Sequence, residues 1–433
     1  MASQSLLADG DLDLRNNYQN DDGSRFGAGG LEVGQHALES RSGTLLPSHD
    51  IGVSLLLTPV YAVATVVSRM PSESLLAKFR MTRGLFAYSL ISLCIIGLVT
   101  AAGVITRDAL VAQGSTPALA SIVVVAAWLS PPVLTNSFLV YPEPFALLAT
   151  AFALHVASSD VDGPLRTRVM ALAAVLGLLP WFHRKYAVYG ALLLFAVVWP
   201  QRTRVSVLSR RDRMFAISAY VVPQVGLGIW TWYHWANLGG PLTMMELPPF
   251  SWTAFQKGSS GILVDRENGL LVWAPVYALI PAAWALAGRR YALWLLPTAS
   301  LLLMSAAHEH WWGGFSPAAR FLVPAIPLFA CVAAVAARQL WFRYLSLVLL
   351  IPQAFIAADV WQHTRSLWPQ GDGHNRILAD LLGVVGASER LLPSLRTSPG
   401  AAARAALTIA ALVIVNVVAW ASARKGNEAR PGG

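Results

Sequence analysis

The sequence predicts an all-α fold, a polytopic transmembrane helix bundle of about ten to twelve helices. Three observations predict it. Apolar runs recur from residue 51 to residue 423 with no polar module between them. The chain is 55% hydrophobic and 13% charged, with a mean hydropathy of +0.52, whereas soluble domains carry about twice that charge fraction. Arginines fall in every second loop between the runs, the pattern that inward retention of positive charge imposes on membrane proteins. A water-soluble domain conflicts with all three. The formal net charge of +9 is accordingly read as topology, and no nucleic-acid partner is expected.

The elements follow in order. Residues 1–50 are polar and acidic, and they lack the basic start and apolar stretch of a secretory leader. They are expected to form an extracytoplasmic loop region. Within it, Asp9-Gly10-Asp11-Leu12-Asp13 reads as a solvated acidic loop, because a calcium loop would need a Glu at its twelfth position. Residues 51–358 form the transmembrane core. Its cleanest span is 84–106, uninterrupted by charge before Arg107 and long enough, at roughly 34 Å, to cross a hydrocarbon core. Further helices are predicted at 53–68, 117–130, 145–158, 168–182, 186–200, 214–236, 270–287, 291–307, 318–337 and 341–358. Several fall below about 17 residues, so tilted, broken or half-length helices are expected. Residues 359–402 form a further extracytoplasmic loop, and 403–433 hold a last transmembrane helix with a cytoplasmic tail. Cys94 and Cys331 lie inside apolar runs and read as small buried hydrophobes.

Loop charge orients these helices. Arg166 with Arg168, the arginines from 202 to 213, Arg289 with Arg290, and Arg338 with Arg343 mark cytoplasmic loops. Arg69, Lys78, Arg80 and Arg83 predict another, which places residues 1–50 outside. A parity conflict then arises between 84 and 158. It is relieved if the proline-flanked segment 117–130 is a re-entrant or half helix.

Ionisable groups near a bilayer are costly to keep, and here they collect in the loops predicted to face outward. His183-Arg184-Lys185 is a basic loop on the side where positive charge is disfavoured; it either holds a lipid phosphate or simply reaches headgroups. Asp265-Arg266-Glu267 is expected to lead directly into a helix, whose free amides would accept the carboxylates, so capping and function both fit. In the run from His308 to Phe321, two glycines permit a bend and Arg320 opens the next helix as a clamp for phosphate or carboxylate. His308-Glu309-His310 is a poor metal site, because adjacent alternating residues do not converge on one ion. Glu143, between Pro142 and Pro144, is a lone acid at the end of an apolar run: chemistry or a hydrogen-bonded structural role.

Taken together, six stretches resemble bacterial polytopic glycosyltransferases of the GT-C superfamily. They are QSLLADGDLDLRNNY near the start, SHDIGVSLLLTPVYA at 48–62, YPEPFALL at 141–148, LPWFHRKYAV at 179–188, GILVDRENGLLVWAPVY at 261–277 and WWGGFSPAARFLVPAIPL at 311–328. Residues 329–433 match only in being hydrophobic. The resemblance implies transfer of a sugar from a polyprenyl-phosphate donor to an extracytoplasmic glycan or protein acceptor, at the outer face of the cytoplasmic membrane. It implies Glu143 and Asp50 as catalytic carboxylates, with His183, Arg184, Lys185, Asp265, Glu267 and Arg320 binding phosphate or substrate. No cofactor is required by these residues, and dependence on a divalent cation stays open, since superfamily members differ in it. Members also carry a first helix and an acidic motif in the outer loop that follows; this sequence starts just beyond where they would stand, so a truncated gene product is expected.

Two other classes compete. A transporter or lipid flippase would also use broken helices and boundary charges, but it calls for an internal repeat and groups near the midplane, neither of which the sequence offers. A non-catalytic scaffold of envelope assembly is favoured if the acidic motif is truly absent.

Overall fold

The computed structural model describes residues 1–26, 37–47, 50–158, 165–201, 209–238, 252–308, 310–314, 316–368, 371–382, 392–397, 401, 405–414 and 416–417. Among these the fold is all-α. The only sheet among the described residues is an antiparallel pair, β1 (Ala37–Glu39) and β2 (Leu45–Pro47). It packs with α1 (Ala2–Ala8) and α2 (Arg15–Gln19) over a small apolar cluster of Leu14, Ala37 and Leu45. The acidic loop between α1 and α2 closes this unit, since Asp13 Oδ1 accepts from the amides of Arg15 and Leu45 at 3.1 and 2.8 Å.

The helices of the main body are α3 (Gly52–Val67), α4 (Glu73–Lys78), α5 (Arg83–Ala112), α6 (Pro117–Trp128), α7 (Val133–Asn136), α8 (Glu143–Ser158), α9 (Leu165–Phe182), α10 (Tyr186–Val198) and α11 (Arg210–Leu238). After them come α12 (Trp252–Val264), α13 (Leu270–Trp273), α14 (Ile280–Ala287), α15 (Leu295–Ala306), α16 (Ile326–Ala336), α17 (Leu340–Gln362) and α18 (Arg376–Leu382). Local chemistry sets several starts. Thr82 opens α5 by accepting from the Leu85 amide at 3.1 Å, and Thr116 opens α6, with Pro117 in the first turn where no N–H is needed.

The expected continuous helices at 270–287, 291–307 and 318–337 are broken. Ala274 is extended before Pro275, and a 3-10 turn, Pro275–Leu279, precedes α14. Further 3-10 turns, Arg289–Trp294 and Arg320–Ala325, lead into α15 and α16. Proline lacks the donor that a continuous α-helix requires, and Gly288 turns the chain at φ +72°. The segment expected at 117–130 is a 12-residue helix, about 18 Å long. The expected last span is described only as a helix at Ala405–Ile414.

Among the described residues three helices are long and apolar enough to cross a membrane: Arg83–Ala112, Arg210–Tyr233 and Leu340–Gln362. On α5 a buried seam of Ala87, Ile91, Ile95, Val99 and Ala102 recurs at helical spacing, while Leu93 and Val104 on the other face are exposed. The same holds for Trp232 of α11 and Phe355 of α17. Large apolar side chains thus cover the outside of the bundle as well as its core.

The direction of the helices can be read from their contacts. Gln113, just past α5, bonds Ser158 at the end of α8 and accepts from Tyr291 and Cys331. At the other end of α5, Tyr88 lies against the Val140 backbone and Tyr141, just ahead of α8. Helices α5 and α8 are therefore parallel. Phe182 of α9 packs on Phe145 of α8 at 5.0 Å, so α9 returns antiparallel. Gly177 lies against the backbone of Ala219 and Tyr220, and Trp181 further along α9 lies against Gly226, which sets α11 parallel to α9. The starts of α9 and α11, with Arg168, Arg210, Arg211 and Arg213, thus share one end with Gln113 and with Tyr291 beside Arg290.

One basic loop does not join them. The Thr82 hydroxyl donates to the Arg25 carbonyl and Arg83 Nη1 to the Arg69 carbonyl, so the 69–83 connection sits at the start of α5. That is about 45 Å of helix away from Gln113. The expectation that residues 69–83 share a side with 289–290 and 338 is corrected by this geometry. Charge counting fails there because the length of α5 separates the two groups.

Candidate functional site

At the Tyr88 end of the bundle, three breaks in helical structure bring charged side chains together. Glu143 is the first residue of α8, Lys185 precedes α10, and Arg320 opens the turn ahead of α16. Helix ends on separate elements can converge where mid-helix residues cannot, and packing fixes this convergence. The Tyr189 hydroxyl of α10 donates to the Pro324 carbonyl at 3.0 Å and touches Thr150 Oγ1 of α8 at 2.6 Å. That triangle ties the three elements together one to two turns below the charges.

Lys185 Nζ donates to Glu143 Oε1 at 2.9 Å, with both side chains enclosed. Arg320 Nε approaches the same oxygen at 3.6 Å, beyond hydrogen-bonding distance. The other oxygen, Glu143 Oε2, is buried with no hydrogen bond of ordinary geometry, as is Arg320 Nε, and the Tyr186 hydroxyl stands against the Glu143 carboxylate. Aromatic rings form the walls: Lys185 Nζ stands 3.8 Å over Phe321, and the Arg320 guanidinium 4.2 Å over Tyr141. Burial outweighs the attraction of Glu143 and pushes the Lys185 ammonium down to about 8, with Arg320 acting in the same direction.

The remaining residues of the loop extend the cluster towards α3. Asp50 Oδ2 accepts from the Arg184 amide at 3.2 Å, and its Oδ1 lies 3.8 Å from the Arg184 guanidinium. The Asp50 side chain keeps 14% of its surface open, whereas Glu143 keeps none. Burial raises the Asp50 carboxyl above the usual range, against the opposing pull of Arg184. His183 is held well below the ordinary imidazole range by burial and by the cations Lys185, Arg320 and Arg184, so it is neutral. Its Nδ1 accepts from the Lys185 amide at 3.2 Å, which leaves the proton on Nε2.

Asp50, Glu143, His183, Arg184, Lys185 and Arg320 are thus brought into one neighbourhood. Asp265 and Glu267 are not. The expected helix does begin at Leu270, as α13, but Gly269 is the residue before it and neither acid caps it; both lie in the turn after α12. Asp265 Oδ1 accepts from the amides of Glu267 and Asn268, each at 2.9 Å, and Oδ2 from the Leu395 amide at 2.8 Å. Glu267 Oε1 and Oε2 accept from Gly371 and Gly373, both at 3.1 Å. Those two glycines have φ of +77° and +81°, a conformation that aims their amides at one carboxylate. Within the loop expected at 359–402, they form a clasp for Glu267.

This knot still bears on the charged cluster. The Asn268 carbonyl accepts from the Ala319 amide at 3.1 Å, directly before Arg320. Ala319 has φ +55°, an uncommon value for a residue with a Cβ, and the bond helps to hold it. Upstream, Gly313 and Gly314 make the expected bend, both with positive φ. Glu309 lies outside the described residues, and among those described no three His, Cys, Asp or Glu side chains gather as metal ligands.

The sequence reading passed over Tyr141, Tyr186 and Phe321, which wall the cluster. It named Arg266 only as part of a run, yet that side chain is buried, with Nε unpartnered. Compared with protein-family models, curated proteins and solved structures, the chain matches none.

Proposed function

We propose that this chain is a multi-pass membrane glycosyltransferase of GT-C type, which transfers a sugar from a polyprenyl-phosphate donor to an extracytoplasmic acceptor. The observation that carries the reading is the enclosed group of Lys185 and Arg320 on Glu143, with a donor on Arg320 and an acceptor on Glu143 left without hydrogen bonds. Buried polar atoms are nearly always satisfied, so unpartnered ones gathered in one cluster suit a polar ligand. Two cations suit a phosphate. Three helices long and apolar enough to cross a membrane, with apolar outer faces, support placing the group at a bilayer boundary. The arginines gathered at the opposite end support an outward orientation.

The chemistry divides between the two carboxylates. An acceptor hydroxyl oxygen attacks the anomeric carbon, the bond from that carbon to the phosphate oxygen breaks, and the phosphate leaves with the electron pair. Lys185 and Arg320 meet the charge that develops on it. The hydroxyl proton goes to a carboxylate, for which Asp50 is suited by its raised affinity for protons and its partial exposure. Glu143 holds the two cations in place while the site is empty and yields them to the incoming phosphate. A transporter reading finds less support, because the charged groups stand at helix ends and not along the middle of the bundle.

The test is transfer of labelled sugar from a polyprenyl-phosphate donor by membranes containing this chain. The reading expects transfer that Asp50→Asn abolishes; equal transfer by the variant would remove Asp50 from the base role.

A further inference from the structure

The connection between α3 and α5 projects from the same end of the molecule as the charged cluster. It is an ordered element. Ser72 caps α4, Leu76 is buried beneath it, and the amides of Arg80 and Met81 close its last turn onto Ala77 and Leu76. Its one acid, Glu73, is used by Arg83, whose Nε lies 2.6 Å from Glu73 Oε1. Arg69, Lys78 and Arg80 keep their charge exposed and have no ion pair among the described residues. Between them stand Met70, Leu75 and Phe79, exposed at 75%, 48% and 65%.

Exposed apolar side chains alternate here with cations that have no acidic partner among the described residues, on an element continuous with the exposed Val63 and Val66 of α3. Water alone disfavours the first group, and a neutral bilayer gives the second no counter-charge. The surface that satisfies both is an anionic phospholipid interface, where the apolar side chains enter the acyl boundary and the cations meet headgroup phosphates.

We infer that residues 69–83 form a foot that seats the site end of this protein on anionic phospholipid. The inference rests on the membrane reading of α5 and not on the sugar-transfer chemistry. A foot of this kind fixes the height of the bundle in the bilayer, and with it the level at which Lys185 and Arg320 meet a lipid-linked phosphate.

The test uses the full chain with Cys94→Ala, Cys331→Ser and Leu75→Cys, an environment-sensitive fluorophore on residue 75, and nanodiscs of phosphatidylcholine with or without phosphatidylglycerol. The fluorophore should be blue-shifted and shielded from iodide in the phosphatidylglycerol discs. Lys78→Gln with Arg80→Gln should weaken that preference about fivefold per charge removed. Arg289→Gln with Arg290→Gln, at the far end of α5, should leave it unchanged. Equal iodide access in both bilayers, or shielding indifferent to Lys78 and Arg80, would overturn the inference while leaving the membrane reading intact. Failure of the chain to enter either disc would overturn both.

Discussion

Lys185 Nζ lies 2.9 Å from Glu143 Oε1, inside a box of aromatic rings that excludes solvent from the pair. Removing one partner of such a pair strands the other, at a cost of about 3–5 kcal/mol. Lys185→Met and Glu143→Gln should each lower the unfolding temperature in detergent. The double variant Glu143→Gln with Lys185→Met should recover much of the loss. Additive losses would mean that the pair is not coupled.

The lowered proton affinity of Lys185 predicts opposite pH trends for binding and stability. With the ammonium pushed down to about 8 in the folded protein, against an ordinary value of 10.5, the cation is present below that point and fades above it. Affinity for a lipid phosphate should therefore fall as pH rises through about 8. Between about 8 and 10.5 the unfolded chain holds a proton at this site that the folded chain has released, so folding stability should rise across the same window. Lys185→Arg should shift the fall in affinity to higher pH. A binding profile identical in the two proteins would exclude Lys185 as the titrating cation.

Asp50 and Glu143 should separate binding from transfer. Asp50→Asn removes the partly open carboxylate while leaving Lys185 and Arg320 seated on Glu143, so polyprenyl-phosphate affinity should stay near that of the parent protein and sugar transfer should be lost. Glu143→Gln disturbs Lys185 and Arg320 themselves and should reduce both. The reverse pattern would exchange the two roles.

The knot at 265–268 predicts a change in the loops it holds. Asp265→Ala removes an acceptor for the amides of Glu267, Asn268 and Leu395, and hydrogen bonds to a charged group each contribute about 1.5–3 kcal/mol. Limited proteolysis within 371–397 should accelerate severalfold in Asp265→Ala and in Glu267→Ala. Unchanged cleavage would show that the carboxylates do not secure these loops.

Much of the charged cluster was legible because ionisable residues in a chain this apolar stand out singly. Glu143, Lys185 and Arg320 were visible at the ends of apolar runs, and the prolines flanking 117–130 marked that segment as a short helix. The pairing was not legible, since Glu143 and Lys185 lie 42 residues apart and no short-range pattern couples them. Nor was the occupation of Glu267, whose partners are backbone amides more than a hundred residues away that any sequence would supply. Tyr141, Tyr186 and Phe321 look like ordinary boundary aromatics until a cation is seen against their rings. The 69–83 loop was misplaced because positive charge alone reports no helix direction, and the contacts at both ends of α5 do.

The account stands on Lys185 and Arg320 as the seat of a lipid phosphate, and the direct measurement is the affinity of the purified chain for a short-chain polyprenyl phosphate set against the matching polyprenol. The phosphate should bind and the alcohol should not, with Arg320→Ala weakening the phosphate roughly ten- to a hundredfold while the unfolding temperature changes little. Equal affinity for phosphate and alcohol, or full affinity in Arg320→Ala, would contradict it.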